Sequence, residues 1–102
     1  MTTVTLLYPS GHKFDMDYYL SKHMKIVQEN WGSLGLQSWE ILQFPEDAPY
    51  QVQATLKWDS LDSYKAAASG PSATAVFGDI PNYTTAKPVS LAGVQKAASP
   101  KI

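Results

Sequence analysis

His23 is the residue of this chain best suited to moving a proton. It is one of two histidines among 102 residues. It falls one turn after Tyr19 and one turn before Val27, on what reads as the apolar face of a helix. An imidazole held among apolar groups loses the hydration of its charged form, stays neutral near pH 7 and can accept a proton there. Tyr8 ends an apolar run beside the turn that feeds this helix, so its hydroxyl and that of Tyr19 could both reach the same place. Either could donate a hydrogen bond to a substrate carbonyl or phenol oxygen. A blander reading stands beside this one: a core histidine with both nitrogens satisfied, and two packed tyrosines. Spacing alone favours the blander reading. Trp39, Trp58, Tyr64, Phe77 and Tyr83 would form an aromatic wall if a ligand pocket lies here, although each taken singly reads as ordinary core.

Other chemistries find little support. His12 sits in the Ser10-Gly11-His12-Lys13 loop, and with His23 and Asp15 it shows no metal-ligand spacing, so no metal is expected. The chain has no cysteine, which removes thiolate nucleophiles and disulfides and suits a reducing compartment. No phosphate-binding loop, dinucleotide fingerprint or nucleophile elbow is present. Asp79, just before Ile80-Pro81, reads as a turn or cap residue rather than a catalytic acid.

The elements that must position these residues follow from pattern. A chain of this length builds one core, and 44% hydrophobic with 17% charged residues is ordinary for a folded domain. Eight basic residues are scattered against nine acidic ones, so no stripe exists for nucleic acid. The first residues lack a basic, then apolar, export signal, and no run approaches the ~20 apolar residues of a membrane span. A cytoplasmic protein with no membrane partner is expected. Residues 3–8 read as a strand stopped by Pro9-Ser10-Gly11. Asp15 is placed to cap the next helix, Phe14 and Tyr19 to staple it, and Met16, Tyr19, Leu20, His23, Met24, Val27 and Trp31 to form its buried face up to Gly32. A second strand spans about 35–44, with Trp39 and Ile41 on one face and Leu36 and Leu42 on the other. A third, Tyr50 to Trp58, alternates cleanly. Asp59 or Ser60 caps a short helix, Pro71 opens another that ends near Gly78, and a last strand at about 83–94 must absorb Pro88 at an edge or a bulge. The order strand, helix, two strands, helical pair, strand predicts an α+β, ferredoxin-like βαββαβ sandwich with all helices on one face. The other sheet face mixes Gln, Thr and Ser with larger apolar groups, which suits burial against a twin, so a homodimer is expected.

The Leu7-Tyr8-Pro9 run, the block Phe14-Asp15-Met16-Asp17-Tyr18-Tyr19-Leu20 with His23-Met24, the Trp31-Gly32 and Gly35-Leu36 pairs, and Asp79-Ile80-Pro81-Asn82-Tyr83-Thr84 before Lys87-Pro88-Val89 together resemble the EthD family. Lys25 and Thr85 depart from that pattern, where a proline and an acidic residue are expected. The resemblance implies a dimeric α/β barrel over residues 2–95; the tail at 96–102 reads from its own sequence as frayed. It also implies a link to degradation of ethyl tert-butyl ether, the reaction for which the family is named. It tips the balance at His23 towards function: proton transfer on a small apolar oxygenated ligand, with Tyr8 or Tyr19 as donor and no cofactor. Heme on His23 is left open by the superfamily, although nothing else on the helix supports it. The competing expectation is a non-catalytic accessory module that binds a metabolite or a partner protein.

Overall fold

The computed structural model describes residues 1–99. Strand β1 (Thr2–Pro9) leads through a loop to a helical segment made of α1 (Met16–Tyr18), a π-helical turn (Tyr19–His23) and α2 (Met24–Trp31), closed by a 3-10 turn at Gly32–Leu34. Strands β2 (Leu36–Gln43) and β3 (Tyr50–Trp58) follow, then α3 (Leu61–Ser69), α4 (Ala73–Gly78), a 3-10 turn at Ile80–Asn82 and β4 (Val89–Val94). The strands form one antiparallel sheet in the order β2-β3-β1-β4. This is the ferredoxin-like α+β layout expected from the sequence. The tail beyond Gln95 has no regular structure as far as Ser99, and the expectation of fraying at 100–102 lies outside the described residues.

Register explains which face is buried. Thr2, Val4, Leu6 and Tyr8 stand opposite Trp58, Leu56, Ala54 and Val52, and this set faces the helices. Val4, Tyr8, Val52, Ala54, Leu56 and Trp58 are each no more than 2% exposed, and they pack against Tyr19, Met24, Val27 and Trp31 from the helical side. Burial of this much side-chain area is the main favourable contribution to folding. Trp58 Nε1 is buried without a hydrogen-bond partner among the described residues, so its indole contributes by ring contacts with Trp31 and Tyr64 alone.

Local sequence signals hold at both helix starts. The Asp15 side chain accepts the Tyr18 backbone N–H at 3.0 Å, the Phe14 and Tyr19 rings meet edge to face at 5.0 Å, and Ser60, rather than Asp59, caps α3. Five expectations are corrected. The first helix is not uniformly α: the Met24 N–H reaches the Tyr19 carbonyl, five residues back. The extra residue in that turn rotates Leu20 outward, to 47% exposure, while keeping Tyr19 and His23 inside. Gly32 keeps a right-handed backbone, and the left-handed closure comes at Gly35, where φ is 122° and an added Cβ would stand 2.6 Å from Asp59 Oδ1. Gln37 is an extra residue between Leu36 and Ser38 in the pairing of β2 with β3. This bulge puts Leu36 on the same face as Trp39 and Ile41 rather than opposite them. Finally, Pro71 lies in the turn before Ser72, the N-cap of α4, and β4 begins only at Val89, just after Pro88. As an edge strand, β4 leaves one side of its backbone ladder unpaired in the subunit.

Candidate functional site

His23 lies in the π-helical turn, 4% exposed. The segment that follows α4 is brought to it by two ties: the Asp15 N–H donates to the Tyr83 carbonyl at 2.8 Å, and Phe14 bridges Thr84. Through them Asp79 and Tyr83, more than fifty residues away in sequence, reach the imidazole. His23 Nδ1 is 2.9 Å from Asp79 Oδ2. On its other oxygen, Oδ1, Asp79 accepts from the Tyr18 hydroxyl at 2.7 Å and from Asn82 Nδ2 at 2.9 Å. The aspartate is thus part of the site, and the sequence expectation of a mere turn or cap residue is extended: its backbone carbonyl does accept the Asn82 N–H, while its side chain grips the histidine.

Electrostatics fix the proton. Burial pushes the Asp79 carboxyl up, but the hydrogen bonds from Asn82, Tyr18 and His23 together outweigh it, and the group titrates below its ordinary value of 3.8. At neutral pH Asp79 is therefore an acceptor only. Burial also lowers His23 below its ordinary 6.5, only partly offset by the hydrogen bond and charge of Asp79. A neutral ring facing an acceptor must carry its single proton on Nδ1, which leaves Nε2 bare. The Tyr83 hydroxyl stands 3.4 Å from Nε2, a long contact, and pairs with the Tyr8 hydroxyl at 2.7 Å. Tyr19 stacks on the imidazole, with centroids 5.3 Å apart and planes 13° from parallel. Burial holds the phenols of Tyr8, Tyr19 and Tyr83 above their usual range, so all three remain hydroxyl donors.

The sign of the pH dependence follows. Because His23 binds its proton less readily folded than unfolded, stability is full above pH 6.5 and falls as pH drops from there towards the lowered folded value. Asp79, whose folded pKa is also depressed, adds stability above pH 3.8 that is lost as pH falls through its own lowered value. Urea unfolding between pH 7 and 5 should show the first of these losses in the native chain and lack it in His23→Gln.

Tyr8, Tyr19 and His23 border an otherwise apolar niche between the sheet and α2 and α4, whose less buried lining residues are Leu6, Phe77, Ile80 and Pro88. The enclosed volume is about 20 Å³, or about 350 Å³ when space open to solvent is included. The smaller figure is room for about one water. A heme does not fit this arrangement, since Nε2 already faces the Tyr83 hydroxyl in so narrow a space. The expected aromatic wall is only partly present. Phe77 lines the niche, and Tyr83 stands at its hydroxyl cluster, 4.6 Å from the His23 ring. Trp58 and Tyr64 do not line it; they pack on Trp31, which does. Trp39 lies outside the niche and donates to Gln28 Oε1 at 3.4 Å. The residues that the sequence reading missed are Asp79, Tyr18 and Asn82. His12 stays at the surface, where it meets Thr85, and no group of three metal-ligating side chains comes together among the described residues.

No protein-family model matches the chain, and no curated protein sequence does. Solved structures do. An EthD-like protein from Ralstonia eutropha JMP134 shares 25% identity over 95% of each chain, with a TM-score of 0.79. An EthD family protein from Bacillus halodurans C-125 covers 93% of this chain and 98% of its own, at 14% identity and a TM-score of 0.63. A DABB family protein with a ferredoxin-like fold from Mesorhizobium loti MAFF303099 covers 94% and 97%, at 12% identity and a TM-score of 0.64. The last two speak for the fold alone. The motif blocks at 14–24 and 79–89 come together around His23, and the chain is similar over nearly its whole length to an EthD-like protein of the same ferredoxin-like fold.

Proposed function

We propose that this protein binds a small, largely apolar oxygenated molecule beside His23 and moves a proton on it, using its own side chains as base and donor. The observation that carries the reading is the buried pair of His23 Nδ1 and Asp79 Oδ2, 2.9 Å apart, which leaves the second ring nitrogen bare. In the step proposed, an acidic C–H of the ligand gives its proton to Nε2, and the electron pair moves onto the ligand oxygen. The Tyr8 or Tyr19 hydroxyl hydrogen-bonds that oxygen. Asp79 stabilises the imidazolium formed, and Nε2–H returns the proton to the same or another carbon. No electrons are gained or lost, so the step needs no redox partner. The test is deuterium wash-in from D2O into phenylacetone, a neutral enolisable ketone, followed by proton NMR. The native chain is expected to accelerate exchange and His23→Gln to lose the acceleration. Equal rates in the two proteins would remove His23 from the chemistry.

One observation favours the non-catalytic alternative: with room for about one water, the niche has the closeness of a packed core. Under that reading His23→Gln lowers stability and leaves ligand affinity unchanged. Under the catalytic reading affinity and exchange change together.

The same proposal includes a second copy of the chain. The sheet face away from the helices carries Thr3, Thr5, Leu7, Glu40, Leu42, Gln53, Thr55, Lys57, Val89 and Leu91 by register. Leu42, Val89 and Leu91 are 42%, 40% and 57% exposed in the single subunit, and these apolar groups, set among small polar residues with Lys57 and Glu40, favour pairing over solvent. Sedimentation velocity at micromolar concentration should give a dimer, and Leu91→Lys should give monomers.

A further inference from the structure

The niche beside His23 has a chemical bias that its shape alone does not show. Its lining contains no lysine or arginine and no carboxylate. The nearest full charge is negative: Asp79, behind the imidazole, with Oδ2 on His23 and Oδ1 held by Tyr18 and Asn82. Lys22, next to His23 in the chain, carries its ammonium 5.5 Å from the Tyr18 ring centre on an exposed side chain; it does not line the niche. An anion entering here would lose its hydration, meet no counter-charge and face a buried carboxylate.

The hydrogen-bonding groups add a second constraint. His23 Nε2 is an acceptor whose contact with the Tyr83 hydroxyl is long, at 3.4 Å, so a ligand donor placed closer would displace it, while the Tyr8 and Tyr19 hydroxyls are donors. One ligand atom serves both if it is a hydroxyl oxygen, giving its hydrogen to Nε2 and accepting from a tyrosine. An ether oxygen can accept but has nothing to give. The narrow enclosed volume suits one oxygen-sized atom, with the body of the ligand towards the less buried lining residues Phe77, Ile80 and Pro88.

We propose that this niche selects neutral ligands bearing an O–H group, phenols or enols, over carboxylates and over ethers of the same size. The proposal rests on reading the niche as a ligand site. It is tested on the native chain by titrating phenol, anisole and benzoate at pH 7 while following the His23 ring resonances by 1H–15N NMR. Phenol should shift them saturably, with apparent affinity about fivefold or more above anisole and about tenfold or more above benzoate. Benzoate or anisole binding as tightly as phenol would overturn the proposed selectivity while leaving a ligand site in place. No saturable shift with any of the three, up to tens of millimolar, would reject the ligand site and the selectivity together.

Discussion

Asp79→Asn is expected to reduce proton transfer by roughly 10²- to 10⁴-fold while the fold stays intact. The reason lies in which oxygen is held by what. Tyr18 and Asn82 both donate to Oδ1, so the asparagine carbonyl must take that position. Its amide then falls where Oδ2 was, pointing N–H at His23 Nδ1. The imidazole can answer only by moving its proton to Nε2, and the nitrogen that faces the niche stops being a base. The measurement is the wash-in rate with phenylacetone, together with circular dichroism to show that the variant folds. A rate within about threefold of native would mean that Asp79 does not set the tautomer.

Trp31→Ala is expected to cost roughly 3–5 kcal/mol, a large part of the ~5–15 kcal/mol available to a domain of this kind. The Trp31 ring is 1% exposed. It meets Trp58 at 5.5 Å, Phe77 at 5.7 Å and Tyr64 at 6.4 Å, and its indole N–H donates to Ser72 Oγ at 3.0 Å. Truncation would leave a cavity where α2, α4 and β3 meet and an unpaired hydroxyl at the start of α4. Thermal unfolding should show a Tm fall on the order of 20 °C. Trp39→Ala, at a half-buried ring on β2, should cost clearly less, and equal losses at the two positions would contradict this account of the core.

Much of this arrangement was legible because it is local. The cap at Asp15, the staple of Phe14 on Tyr19 and the alternation from Val52 to Trp58 depend on neighbours a few residues away, and each is seen in the structure. The burial of His23 followed from its place among apolar residues in a helical repeat. What was not legible depends on distance or on a one-residue change of phase. A π-helical turn preserves the three- and four-residue spacing well enough to hide in it, yet it turns Leu20 to solvent. The Gln37 bulge similarly flips Leu36 across the sheet. Asp79 was read as a turn residue because nothing near it names a partner; its partners are Tyr18 and His23 on another element. The signal that could have found it was the resemblance itself, since Asp79 and Tyr83 fall in one motif block and His23 in the other. Nor could aromatic content alone separate a pocket wall from a core cluster, which is why Trp58 and Tyr64 fall on the far side of Trp31.

The protonation of one ring carries the whole functional reading. Long-range 1H–15N NMR of the native protein at pH 7 resolves both nitrogens of His23. The account predicts a neutral imidazole with its proton on Nδ1, towards Asp79, and an unprotonated Nε2 towards the niche. A doubly protonated ring, or a proton on Nε2 with Nδ1 bare, would contradict it.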